Sequence, residues 1–491
     1  MSDHRHHPRA IAASTLWQMA SQIAMAALSI LTVKFVAVGL TKELAGNYNT
    51  AYGYLQFFGI LADFGLYAVA VREVSRAEHP ERVLGSLLVL RICILLLSLG
   101  SALAVVWIMP AWHGTPLPLS VTIASLVPFF TLLAGMLRTA FQVTHRMRYV
   151  FIAEVAQRIV STATIGVFIV LGVRESADTS VLFIFLAAGG LGAMVLSLLS
   201  LVFAKKIMVI RPVWDPVMLR HLFRQAAPYG VAFLCTALYR QFDVTLIARL
   251  RPDYEIQNAY YGFVQRMMDM AYLLPTFLLN STLPVLGERD KSGADARGLL
   301  GKVFLAILLL GTVSFLFALL WARPLTQLLT TEQYLSHPGQ PGSDTALAIL
   351  SVSMFMNGII LYSFYALLHR HAWKPLVMTL AAGVIVSLAG NIMLIPPLGF
   401  VGAARTSALV HTLLAVLLLP QAMKILPMRF GAREIRLWLL FTIFLLVPLA
   451  LLRPFLVGSA VTAGALVAMG GWMLVLLRIM KLDRAFRAGP V

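Results

Sequence analysis

The chain has 491 residues, of which 59% are hydrophobic and only 12% charged, about half the charged share of ordinary soluble domains. With a mean hydropathy of +0.84, it excludes soluble enzymes, disulfide-built secreted domains and disordered regulators, because water would not tolerate so much apolar surface. The formal net charge of +18 would suggest nucleic acid in a soluble protein; in a membrane protein it is first a topology signal.

A spanning helix needs about 20 mainly apolar residues. In chain order, fourteen segments meet this: 12–37, 48–70, 84–109, 119–141, 150–172, 180–204, 226–248, 258–284, 302–321, 345–368, 375–395, 401–419, 437–452 and 455–477. The thirteenth is short. The first is too long for a cleavable leader and is expected to stay. The expected fold is an all-α polytopic membrane protein of about 14 transmembrane helices.

Lys and Arg set the orientation. With the N-terminus in the cytoplasm, inner segments hold 26 Lys+Arg and 10 Asp+Glu, outer loops 6 and 7, and the spans 7 and 4. An even span count returns the C-terminus to the cytoplasm. Trp107, Trp112 and Trp321 fall at outer ends, and Trp17, Trp373, Trp438 and Trp472 near inner ends, as aromatic belts would. No loop is long enough for a folded domain. The longest inner connection, 205–225, spaces Trp214, Met218 and Leu222 as a helix lying on the membrane surface would. A plain basic linker reads it equally well.

Spans one to six and seven to twelve both start on the inner side. "ELAGNYNTAY" (43–52) is echoed by "EIQNAYYGFV" (255–264), an offset of 212 residues. Two parallel halves point to a transporter with its site at their interface. The expected division is a six-helix bundle over 1–204, a cytoplasmic linker over 205–225, a second six-helix bundle over 226–419, and two further helices with a tail over 420–491.

Ionisable groups inside a bilayer are costly and usually face a partner or a watery cavity. Seven cations fall within spans: Lys34, Arg91, Arg138, Arg158, Arg240, Arg266 and Arg405. Four acids do: Asp63, Glu154, Asp243 and Asp269. Glu154 with Arg158 are i,i+4; Arg240 with Asp243 and Arg266 with Asp269 are i,i+3, spacings that allow local pairing. Mutual neutralisation is the plainer reading of each pair. Asp63 has no local partner, and Arg91, Arg138, Lys34 or Arg405 is within consideration. Lys34 and Arg138 lie near span ends and are expected to snorkel. Arg91, Arg240 and Arg266 lie deeper. With Arg158 they are the candidate substrate-binding cations, because guanidinium grips phosphate oxygens as a fork. Asp63, Asp243, Asp269 and Glu154 are the candidates for ion coupling or charge pairing. Pro228, Pro275 and Pro284 interrupt spans seven and eight, where a cavity or simple packing would accommodate a kink.

No phosphate-binding loop, H-E-x-x-H or nucleophile elbow is present. Cys93 and Cys235 lie in apolar runs and make no metal site. His4, His6 and His7 read as a solvated tail, and His411, deep in a span, as a hydrogen-bonded packing residue. No catalytic residue, cofactor or metal is expected.

Three stretches resemble the polysaccharide-transport (Wzx-type) flippases of the multidrug/oligosaccharidyl-lipid/polysaccharide exporter superfamily. They are "ELAGNYNTAYGYLQFFGILADFGLYAVAVREVSR" (43–76), "AAPYGVAFLCTALYRQFDVTLIARL" (226–250) and "NIMLIPPLGFVGAA" (391–404). The resemblance covers about 40–430. It implies two six-helix bundles in a V around a central cavity, in the cell inner membrane. It implies flipping of undecaprenyl-diphosphate-linked oligosaccharide to the outer leaflet by alternating access, with H⁺ or Na⁺ coupling and contacts with polysaccharide polymerase machinery as further expectations. Nucleic acid is not an expected partner. A lipid II flippase and a multidrug cation antiporter remain alternatives. A membrane-embedded glycosyltransferase or polymerase fits less well, because neither a large extramembrane loop nor an acid cluster is visible.

Overall fold

The computed structural model describes residues 7–144, 146–292 and 296–482. It is helical throughout, with two isolated β-bridges. The first half runs α1 (His7–Gly39), α2 (Lys42–Asp63), α3 (Leu66–Arg76), α4 (Pro80–Ile108), α5 (Leu117–Ala124), α6 (Leu126–Val143), α7 (Arg148–Val170), α8 (Thr179–Lys205), α9 (Pro216–Gln241) and α10 (Asp243–Leu250). Then follow α11 (Tyr254–Ser292), α12 (Ala296–Leu320), α13 (Ala322–Leu329), α14 (Ser343–His369), α15 (Trp373–Leu398), α16 (Phe400–Ile425), α17 (Ala432–Leu452) and α18 (Ser459–Ile479). The N-terminal His4 and His6 lie outside the described residues.

The chain divides into two compact units, 1–259 and 260–491. In the first, α7 packs on α1 and α8, α6 on α8, and α2 on α4 and α9. In the second, α14 packs on α12 and α16, α15 on α16, and α12 on α17.

The expected fourteen spans are corrected. Among the described residues, ten helices are long and apolar enough to cross a membrane, or eleven if the bent pair α9–α10 is one span. The helices do not divide as six, six and two either, since α9 and α10 fall in the first unit. The physical reasons are local. The second expected span, 48–70, is broken at Phe64 and Gly65, both left-handed, and its helix carries Asn47, Asn49, Gln56 and Asp63. The seventh bends by 52° at Phe242. The eighth lies within α11, a 39-residue helix that also carries Gln265, Arg266, Asp269 and Asn280. Of the first, the apolar part found is Ala24–Gly39.

The 205–225 stretch is not one helix. Residues 209–215 lie outside any helix, and α9 starts at Pro216 with Asp215 as its N-cap, accepting from the Met218 N–H at 3.1 Å. Met218 and Leu222 keep their helical spacing but face inward, against a core of Leu66, Val69, Leu84, Leu87 and Met136. The aromatic belt is also thinner than expected. Trp112 and Trp321 are buried and donate to the carbonyls of Ala248 and Leu449, at 3.1 and 2.9 Å. Trp17, Trp107 and Trp472 are exposed.

Candidate functional site

Asp63 ends α2, and the break after it is forced by two left-handed residues, Phe64 (φ 42°) and Gly65 (φ 69°). Gly65 is required there. A Cβ on it would fall 2.5 Å from Tyr229 Cβ of α9, in a backbone region that L side chains avoid. Arg91 of α4 reaches this break from the side. Its Nη1 donates to the Asp63 carboxylate at 2.5 Å and to the Asp63 and Ala62 carbonyls at 3.1 and 3.5 Å. Its Nε donates to the Leu132 carbonyl at 3.4 Å. Arg91 is 2% exposed and Asp63 33%. Of the partners considered for Asp63, the structure selects Arg91.

Glu154 of α7 has partners on other helices. Arg138 of α6 donates to it at 2.8 Å, and Ser21 of α1 also donates to it. One carboxylate thus ties α7 to two other helices. Thr32 and Thr162 make a second α1–α7 tie at 2.8 Å. Arg138 is held by this pairing, where sequence position suggested snorkelling. Arg158 and Lys34 are half-buried, and Arg405 is exposed.

Arg240 and Asp243 flank the 52° bend between α9 and α10. Asp243 is buried and Arg240 half-buried. Arg266 and Asp269 lie on α11 in the second unit, both half-buried. His411 of α16 is fully buried, its Nδ1 2.8 Å from the Ser407 carbonyl.

A polar seam joins the two sequence-repeated motifs. Asn47 donates to Glu255 at 3.2 Å, and the Tyr254 hydroxyl donates to Asn47 Oδ1 at 3.2 Å. Asn258 donates to Thr50 Oγ1 at 2.9 Å and to the Val244 carbonyl at 3.0 Å. Asn49 donates to the Asn258 carbonyl at 3.3 Å. Gly46 permits this closeness, because a Cβ there would lie 1.6 Å from the Glu255 carbonyl oxygen. Before the seam, Arg251 grips Asp253 at 2.7 and 2.9 Å and holds its carboxyl below the usual range. Sequence reasoning found the repeat but not this contact; the shared Asn and Tyr content was the available signal.

No group of three metal-ligating side chains occurs among the described residues. What the arrangement offers is guanidinium and carboxylate groups at breaks and bends of helices, the kind of place where transporters hold charged cargo or ions.

Comparison with known proteins gives the following. The family described as "Polysaccharide biosynthesis protein" matches residues 11–289. No curated protein matches. Among solved structures, the lipid II flippase MurJ in an inward closed conformation is similar at a TM-score of 0.72 and 12% identity, over 96% of this chain and 99% of that one. An inward-facing multidrug resistance MATE family transporter of the MOP superfamily is similar at 0.62 and 12% identity, over 84% and 98%. A MATE protein in complex with MaD3S is similar at 0.57 and 14% identity, over 85% and 95%.

Proposed function

Because the chain belongs to the polysaccharide biosynthesis protein family of the MOP exporter superfamily, and is therefore a multi-pass membrane transporter and not an enzyme, we propose that it is a flippase for a lipid-linked saccharide carried on a polyprenyl diphosphate. The observation that carries this reading is the family match over residues 11–289, to which the half-buried guanidinium groups of Arg158, Arg240 and Arg266 add a cationic character. Guanidinium groups in a low-dielectric site favour an anionic headgroup such as a diphosphate. A carrier of cationic drugs would want the opposite balance.

Movement is by alternating access, from the cytoplasmic to the outer leaflet of the inner membrane, with both termini cytoplasmic as the Lys/Arg bias indicates. Arg240, Arg266 and Arg158 are the proposed diphosphate contacts. Asp63, Asp243, Asp269 and Glu154 are the proposed acids for H⁺ or Na⁺ coupling or for charge pairing, Asp63 with Arg91 and Glu154 with Arg138. Outward movement of an anion gains about 2.3 kcal/mol per charge per 100 mV of inside-negative potential. A polymerase at the outer leaflet would consume the product.

The saccharide has two readings. The family description supports a polysaccharide repeat unit. The fold likeness supports lipid II, since the lipid II flippase is matched over nearly the whole of both chains. Fold coverage favours the second reading. The test reconstitutes the protein in proteoliposomes and offers fluorescent lipid-linked repeat unit and lipid II separately. Loss of flipping in Arg240→Ala and Arg266→Ala, with normal expression, supports the site. Normal flipping by both variants would sink it.

A further inference from the structure

Arg91 is the only Lys or Arg buried among the described residues. A buried guanidinium is tolerated only when its donors are met and its charge is balanced. Here the broken end of α2 balances the charge and accepts from Nη1. A helix C-terminus leaves its last carbonyls without intrahelical partners and carries the negative end of the helix dipole. The Phe64 N–H returns to the Ile60 carbonyl at 3.1 Å. The carbonyls of Ala62 and Asp63, beyond that point, turn to Arg91 Nη1. The Asp63 carboxylate adds a full negative charge, and the Leu132 carbonyl of α6 closes the set from the other side. Three carbonyls and one carboxylate converging on a single positive group is the donor set of a monovalent-cation site.

We propose that the α2–α3 break is a cation site filled by the chain's own guanidinium, so that Arg91 is a positioning residue that fixes the break and aims Asp63. It goes beyond the transport reading above, which does not need Arg91 to touch cargo. The site is stapled on its other side too. Gly65 abuts Tyr229, and the Phe64 ring lies 2.7 Å from where a Cβ on Gly230 would sit. Pro228, inside α9, immediately precedes that contact. The break is thus held by a cation from α4 and by the segment of α9 that follows Pro228.

The purified full chain tests this. Arg91→Ala empties the site but leaves its carbonyls and carboxylate. Guanidinium at about 20 mM, far below denaturing concentration, is expected to raise the melting temperature of Arg91→Ala towards that of the parent. Urea, of the same shape but neutral, is expected to have no effect, and neither compound should alter the parent. Arg91→Lys keeps the charge but not the fork, so it should melt between the two and ignore guanidinium. If Arg91→Ala accumulates only as unfolded protein, the yield of folded protein from solubilisation with guanidinium or urea replaces the melting readout. Equal effects of guanidinium and urea, no effect of either, or a parent-like melting temperature for Arg91→Ala would overturn the proposal. Flipping measured in the same samples separates the two claims. A parent that does not flip lipid-linked saccharide, beside a guanidinium-rescued Arg91→Ala, refutes the transport reading and leaves the cation site standing.

Discussion

Gly46→Ala is the sharpest single perturbation of the first unit. The added Cβ would lie 1.6 Å from the Glu255 carbonyl oxygen and 2.5 Å from its carbon, so the obstacle is backbone that cannot swing aside. Restoring an ordinary contact of 3.4–4 Å requires α2 and the head of α11 to part by well over an ångström. Five hydrogen bonds cross or brace that seam, at 2.9 to 3.3 Å. A shift of that size takes them past bonding distance. All but Glu255 belong to buried residues, so each loss costs about 1 kcal/mol. With part of the seam relaxing, the net cost is about 3 kcal/mol. For a unit of this size about 2–4 °C accompanies each kcal/mol, so melting should fall by about 6–12 °C. Fluorescence-monitored melting in detergent measures it. Gly100→Ala, where nothing lies within 4 Å of the new Cβ, is the control and should melt like the parent. A Gly46→Ala protein that also melts within about 2 °C of the parent would refute the close-packed seam.

Three other outcomes follow from the same geometry. Glu154→Gln leaves Arg138 without its carboxylate and should lower stability by about 1–3 kcal/mol, read as an earlier melt, with Glu154→Gln/Arg138→Met recovering part of it. The Met218 N–H, with Arg82 beside it, holds the Asp215 carboxyl below the usual carboxylate range. Its stabilising contribution is therefore full above the ordinary carboxylate pKa and fades as pH falls through the lowered value, so melting of Asp215→Asn should converge on the parent's at acid pH and fall below it at neutral pH. Trp112→Phe loses the bond to the Ala248 carbonyl and should cost about 1 kcal/mol, seen as a small drop in melting temperature.

Much of the helical order was legible because apolar length is a one-dimensional signal. The stretches 180–204, 375–395 and 401–419 each fall within a single helix of similar extent, and 84–109 overruns α4 by one residue. The break after Asp63 was not, because it contains no proline; it depends on Gly65 meeting Tyr229, 164 residues away in the sequence. Charge pairing shows the same limit. Helical spacing suggested Glu154 with Arg158, but Arg138 on a neighbouring helix approaches Glu154 more directly than a spacing rule can register. Arg91 read as a cavity cation because depth along a helix says nothing of which way the side chain turns. The echo between 43–52 and 255–264 was visible as similarity, but its physical meaning, a hydrogen-bonded contact between the two copies, needed coordinates.

The transport proposed for this chain is movement of a lipid-linked saccharide across the bilayer. Flipping of fluorescent polyprenyl-diphosphate-linked saccharide in proteoliposomes, with an imposed inside-negative potential, tests it most directly. Protein-dependent exposure of the label on the opposite leaflet is expected, faster with the potential and lost in Arg240→Ala and Arg266→Ala. Equal exposure in protein-free vesicles, or transport of cationic dyes in place of the saccharide, would contradict it.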